Sequence, residues 1–178
     1  NCKFTNITAT FCPPCVIGQP CPPCTPSPGI AIWAVGNPIS PKPGSTLFES
    51  LTVGGPTNVE KNTFVNCHRA VLIEKNSNFK IENNQFTNVK PTTPFISSEV
   101  IKVQNTINNA ARITNNVFQN YHTGILLQDV RSAQQISPIQ IDINKLNNGK
   151  AGIRAEYSTK PPSTSQSVLE IKTNTITG

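Results

Sequence analysis

Apolar residues along this chain recur one at a time inside a fixed polar frame. The phrase Asn-x-Phe-x-Asn appears as Asn62-Thr-Phe64-Val-Asn66, Asn84-Gln-Phe86-Thr-Asn88 and Asn116-Val-Phe118-Gln-Asn120. Softer copies read Asn144-Lys-Leu146-Asn-Asn148 and Asn174-Thr-Ile176-Thr-Gly178, and Cys2-Lys-Phe4-Thr-Asn6 opens the chain. From Phe64 onward the centres are 22, 32, 28 and 30 residues apart. A period of that size with variable insertions predicts a solenoid in which each copy is one turn of a stacked coil.

The flanks repeat too. Val59, Ile81, Ile113, Ile141 and Ile171 each stand five residues before a centre. After the centres come short strands of alternating register: Ile30-Ala-Ile32, Val71-Leu-Ile73, Ile101-Lys-Val103, Ile125-Leu-Leu127 and Ile153-Arg-Ala155. Alternation with period two is the strand signature, and no stretch carries a helical apolar stripe of useful length. Each repeat therefore reads as strand, Asn turn, short apolar strand, loop and strand. Equivalent positions of stacked parallel turns form ladders at about 4.8 Å. The expected inward ladders are Phe4, Phe64, Phe86, Phe118, Leu146 and Ile176 on one wall, and Ile30, Val71, Ile101, Ile125 and Ile153 on another.

Asn suits the corners because it tolerates the left-handed region and bonds to its own backbone. Its amide both donates and accepts, so Asn62, Asn84, Asn116, Asn144 and Asn174 are expected to bond to one another along the axis.

With Lys80-Ile-Glu-Asn-Asn-Gln-Phe86, Arg112-Ile-Thr-Asn-Asn-Val-Phe118 and Thr123-Gly-Ile-Leu-Leu127 in view, the chain resembles the right-handed parallel β-helix family, the pectin-lyase-like proteins with short β-helix repeats. The resemblance covers nearly all of residues 1–178. It implies an all-β solenoid of about six coils in a single segment. It says little about activity, because the family holds polysaccharide lyases and hydrolases, tailspikes, adhesins and stalks.

Composition narrows the choice. Charged residues are only 13%, and no apolar run is long enough to span a membrane as a helix. The chain shows no signal peptide or initiating Met, and both ends lie inside repeats without amphipathic caps. It therefore reads as a portion of a longer β-helix, or as one whose ends a partner chain covers. The net charge of +6 would draw acidic polymers if it were focused. The cations are scattered instead, aromatics are 6%, and nothing of the nucleic-acid-binding type is present. Lys102 and Arg154 share an outward register that Leu72 and Leu126 also occupy, with Glu74 and Glu156 two positions on. That row reads as an ordinary solvated sheet face.

Two insertions stand out. Residues 8–28 hold Cys12-Pro-Pro-Cys15 and Cys21-Pro-Pro-Cys24, too Pro-rich for a central strand. Residues 36–58 are rich in Gly, Pro and Ser and read as loop. Shorter excursions fall at 89–98, 131–138 and 157–167. The four clustered cysteines are candidates for disulfides stapling their loop, with four-thiolate zinc and a redox pair as weaker readings. Cys2 and Cys67 complete the set of disulfide candidates, with pairing left open. This usage points to an extracellular or cell-surface location.

No residue is assigned a catalytic or metal-binding role, and no cofactor is expected. Asp129 and Asp142 fall on different walls. Glu74 and Glu156 lie three coils apart, roughly 14 Å at the rung spacing, too far for either two-carboxylate glycosidase geometry. His68 and His122 precede their strands equally and read as corner residues. Trp33 faces outward. It would either stack on a sugar ring or be covered by the 36–58 insertion, and the second reading is preferred. Tyr121 and Tyr157 carry little information. Trp33, Lys102 and Arg154 are thus the candidate ligand contacts. The expected function is a non-catalytic extracellular β-helix module of a surface adhesin or stalk, binding glycan or other surface proteins. A polysaccharide lyase or glycoside hydrolase is the alternative, and a subunit or substrate of a secretion or motility assembly the third reading.

Overall fold

The computed structural model describes residues 3–5, 8–11, 25–35, 50–76, 78–90, 98–108, 111–132, 138–156 and 169–178. It is a parallel β-solenoid with three walls. The first wall stacks Lys3–Thr5, Thr63–Val65, Gln85–Thr87, the start of Val117–Ser132, the start of Lys145–Glu156, and Thr175–Thr177. The second stacks Ile30–Val35, Arg69–Glu74, Glu99–Asn108 and the later halves of the same two long strands. The third stacks Ser50–Gly54, Asn78–Glu82, Arg112–Thr114, Ile139–Asp142 and Leu169–Lys172. Every pairing in these walls is parallel, because each strand returns to its wall only after a full turn. Between Thr63 and Asp142, three turns have neighbours on both sides in every wall. The six sequence copies thus resolve into three enclosed turns with outer rungs on either side.

The ladders form the core. Phe64 stacks on Phe86 with ring centroids 4.8 Å apart, and Phe86 on Phe118 at 5.0 Å. Leu146 continues the column, and all four side chains are fully buried. Phe4 is in register with Phe64, and Ile176 with Leu146. Burying one such side chain contributes about 1.5–3 kcal/mol, so the column is a principal source of stability.

Two other columns differ from expectation by one member. On the second wall the residue in register with Val71, Ile101, Ile125 and Ile153 is Ile32, while Ile30 aligns with Arg69. A shift of two residues preserves strand parity, so alternation alone could not separate the two isoleucines. On the third wall Val53, rather than Val59, lies under Ile81, Ile113 and Ile141. Val59 sits in a 3-10 turn, Asn58–Glu60, and is exposed. A capping box closes that turn: the backbone N–H of Thr57 donates to Glu60 Oε2 at 3.1 Å. The stretch 36–58 is therefore not all loop, because its end supplies the Ser50–Gly54 strand. Gly54, at φ 82°, closes that strand where a Cβ would lie 2.0 Å from the carbonyl oxygen of Glu82.

The asparagines divide the corner work between them. Asn84, Asn116 and Asn144 are buried and form the expected ladder: Nδ2 of Asn84 donates to Oδ1 of Asn116 at 3.1 Å, Asn116 to Asn144 at 3.0 Å, and Asn144 to Asn174 at 2.9 Å. Asn62 joins through its backbone N–H, which donates to Oδ1 of Asn84 at 3.3 Å. The left-handed conformation falls on their neighbours instead, at Asn83, Asn115, Ile143 and Thr173. It also falls on the second Asn of each phrase, Asn66, Asn88, Asn120 and Asn148, which build an exposed ladder of their own. A third set of left-handed residues, Lys75, Asn105 and Asp129, directly follows Glu74, Gln104 and Gln128 on the second wall.

Inside the first insertion, Thr8–Phe11 pairs antiparallel with Thr25–Pro28, a small separate hairpin that the sequence did not announce. Cys2, Cys12, Cys15, Cys21 and Cys24 lie outside the described residues, as do most of the shorter excursions. Cys67 is buried, with Sγ 3.6 Å from the carbonyl oxygen of Val65.

Candidate functional site

The second wall carries all three candidate ligand contacts in one column. Trp33, Leu72, Lys102, Leu126 and Arg154 occupy successive rungs in strict register. The neighbouring column holds Val35, Glu74, Gln104, Gln128 and Glu156. The alignment follows from the apolar residues beneath. Val71 and Ile73, Ile101 and Val103, Ile125 and Leu127 all point inward to the core, which forces the intervening residues outward.

Trp33 is 63% exposed. The greater part of the 36–58 insertion that would cover it lies outside the described residues. The indole is nonetheless held, because Nε1 donates to Oε2 of Glu74 at 2.7 Å. The other oxygen of that carboxylate accepts a hydrogen bond from Nε2 of Gln104. Three rungs thus share one hydrogen-bonded chain, Trp33 to Glu74 to Gln104. An aromatic fixed at its polar edge and open elsewhere loses little freedom on binding.

The column is not a plain solvated face either. Leu72 and Leu126 are only 5% and 6% exposed although they stand outside the main core cluster. Each lies one rung from longer side chains, Trp33 and Lys102 on either side of Leu72, Lys102 and Arg154 on either side of Leu126. Such stems cover apolar surface while their polar heads stay in water. Arg154 is paired with Glu156 on its own strand. Polar and aromatic groups therefore recur on every second rung, about 10 Å apart, with an apolar residue between them.

A second cluster, absent from the sequence reading, lies at the corner entering this wall. Arg69 donates to Oε2 of Glu99 on the next turn, from Nε at 3.0 Å and from Nη2 at 2.5 Å. The two side chains are 17% and 4% exposed. Ser98 Oγ donates to the carbonyl of His68, and Nδ1 of His122 stands 3.4 Å from Oγ1 of Thr123. His68 and His122 fall on the same corner two turns apart, as expected, but His68 is buried and His122 half-buried. Once the ladders are aligned, Arg69 and Glu99 fall on consecutive rungs, so the ion pair was present in the phased sequence. Its charges ride on the strand start rather than on the phrase.

Glu74 and Glu156 are in register at the second and fifth rungs of the wall, with Gln104 and Gln128 between them. Asp129 directly follows Gln128 on the second wall, while Asp142 ends a third-wall strand, where Oδ1 accepts from the N–H of Ile143 at 2.8 Å. No helix among the described residues is long and apolar enough to cross a membrane.

Comparison with protein-family models, with curated proteins and with solved structures yields no match to this chain.

Proposed function

We propose that the chain is a non-catalytic, extracellular β-helix module of a surface adhesin or stalk protein, and that it binds glycan on the outer face of its second wall. One observation carries this reading. Trp33 is open to solvent yet tethered by Glu74, and it shares a column with Lys102 and Arg154. A fixed aromatic beside amides and a carboxylate offers a sugar ring both a stacking face and hydrogen-bonding partners. The surrounding architecture suits a spacer, since each turn contacts only its neighbours and length grows by repetition. The pectin-lyase-like resemblance agrees with that use, and pairing among Cys2, Cys12, Cys15, Cys21, Cys24 and Cys67 would reinforce the module in an oxidising setting.

The test is a glycan array run beside a panel of uronic-acid polymers, with Trp33→Ala and Lys102→Ala as controls and product formation followed in parallel. Retained glycan that Trp33→Ala releases supports the reading. Unsaturated or new reducing-end products would overturn the non-catalytic part. Binding that ignores Trp33→Ala would overturn the site.

A further inference from the structure

The lysines that look scattered along the sequence are sorted by the fold. Among the described side chains, the second wall sets Arg69, Lys75, Lys102 and Arg154 against Glu74, Glu99, Asp129 and Glu156. The third sets Lys80, Arg112 and Lys172 against Glu82, Asp142 and Glu170. Each of these walls is neutral. The first wall and its two margins carry Lys3, Lys61, Lys90, Lys145 and Lys150, and the carboxylate beside them is Glu60, held in its capping box. No Asp or Glu occurs in residues 61–68, 83–90, 115–123, 143–151 or 173–178, the stretches that build this face. The surplus positive charge of the described side chains therefore falls on one face of three.

Phe64, Phe86, Phe118 and Leu146 point inward, so the residues on either side of each point outward. Apart from Lys145 these are Thr, Val, Gln and Asn, so the middle of the face is uncharged and offers no large apolar side chain. The cations stand at both margins. Lys61 precedes the strand Thr63–Val65, and Lys145 opens its own strand. On the opposite side, Lys90 and Lys150 each follow by two residues the exposed asparagines Asn88 and Asn148. Lys90, Lys145 and Lys150 are exposed, and Lys61 is half-buried. None of the four is paired with a carboxylate among the described residues, whereas Arg69, Arg154 and Lys172 on the other walls are all paired.

We infer that the first wall lies flat on an anionic lipid bilayer and is held there by charge. The cations form a two-dimensional array. A linear polyanion following one margin would meet Lys61 and Lys145, or Lys90 and Lys150, and leave the other pair unneutralised. A plane of anionic headgroups meets all four at once. Asn88, Asn120 and Asn148 each spend one amide N–H on their own ladder, which leaves the second for a headgroup oxygen. With no large apolar side chain to insert, adsorption is electrostatic, reversible and weakened by salt. It leaves the second-wall column uncovered and does not depend on the glycan reading.

Co-sedimentation with phosphatidylcholine vesicles, with and without phosphatidylserine, tests it. The parent should partition onto the serine-containing vesicles alone and come off as salt is raised. Lys145→Ala and Lys150→Ala, one from each margin, should each weaken partition about fivefold, the contribution of one cation near an anionic surface, and together about 25-fold. Lys80→Ala removes the same net charge from the neutral third wall and should change partition by less than about twofold. Trp33→Ala should leave it unchanged. Lys145 and Lys150 are exposed, so melting transitions should match the parent, and if an alanine variant fails to fold, Lys145→Gln or Lys150→Gln takes its place. A parent that ignores the vesicles, an equal loss from Lys80→Ala, or a loss with Trp33→Ala would overturn the inference. So would retention on heparin without affinity for the vesicles, which would mark a linear polyanion as the occupant.

Discussion

Asn116 accepts two hydrogen bonds from Asn84 on its side-chain oxygen, one from the backbone N–H at 2.9 Å and one from Nδ2 at 3.1 Å. Its own Nδ2 donates to the carbonyl of Ile81 at 2.8 Å, to that of Thr114 at 3.0 Å, and to Oδ1 of Asn144. One fully buried amide thereby closes the backbone of two turns at a corner where water is excluded. Each buried polar group left without its partner costs about 1–3 kcal/mol. Asn116→Ala is therefore expected to lose at least 3 kcal/mol in urea unfolding. Asn148→Ala acts on the exposed ladder and should stay within about 0.5 kcal/mol. Equal losses at the two sites would contradict this division of roles.

The buried ion pair makes a different kind of prediction. Removing one partner of such a pair is expensive because a charge stays behind, while replacing both with apolar residues is often neutral. Arg69→Met alone should cost about 3–5 kcal/mol. Arg69→Met combined with Glu99→Leu should recover most of that loss, measured as a coupling energy in a double-mutant cycle. A double variant as unstable as the sum of the singles would mean that the pair does not act as a unit.

The phased sequence revealed the solenoid because three ladders repeat in it independently, and the Phe64, Phe86, Phe118 and Leu146 column appears as the phrase centres anticipated. The first turn was harder to read. Its strands are separated by two long insertions, so nothing nearby fixed the choice between Ile30 and Ile32 or between Val59 and Val53. Both substitutes preserve parity or lie in a plausible window, and register emerges only when the neighbouring turn is laid beside them. The candidate site was legible as a row of residues. Its internal chemistry was not, since the tether from Trp33 to Glu74 crosses a gap of 41 residues. The two roles of Asn at the corners were merged for a simpler reason: Asn83 and Asn84, like Asn115 and Asn116, are identical in type, and only backbone geometry tells the left-handed residue from the buried one.

Tyr121, which the sequence gave no reason to single out, fills a notch left by Gly149. Its ring meets Phe118 edge-on at 6.2 Å, and a Cβ at Gly149 would lie 2.0 Å from Tyr121 Cζ. Gly149→Ala must displace the ring or open the strands, at a cost of roughly 1–3 kcal/mol. Burial also pushes the Tyr121 phenol above its usual value. The folded protein thus disfavours the phenolate, so this contribution is intact below about pH 10 and fades as pH rises through the folded value. An absorbance titration of Tyr121→Phe against the parent should remove a late-ionising phenol and flatten the alkaline loss of stability. If the variant keeps the late titration, the assignment to Tyr121 fails.

Ile143 offers a gain rather than a loss. It sits at φ 56°, on the corner that Asn83 and Asn115 occupy in the preceding turns, and its side chain is about half exposed. A β-branched residue is a rare occupant of the left-handed region, where Cβ crowds the following carbonyl oxygen, at roughly 1–2 kcal/mol per residue. Asn relieves part of this through local hydrogen bonding, and Nδ2 of Asn115 already reaches Oδ1 of Asn83 at 3.4 Å. Ile143→Asn would extend that ladder by one rung. Little apolar burial is lost, because so much of the isoleucine faces water. The variant is expected to gain about 1 kcal/mol, which raises Tm by about 2–4 °C for a chain of this size. Ile143→Gly separates the two contributions: it removes the strain without adding the amide and admits more freedom in the unfolded chain, so it should gain less than Asn. A Tm that falls for Asn while rising for Gly would show that the ladder does not extend to this corner.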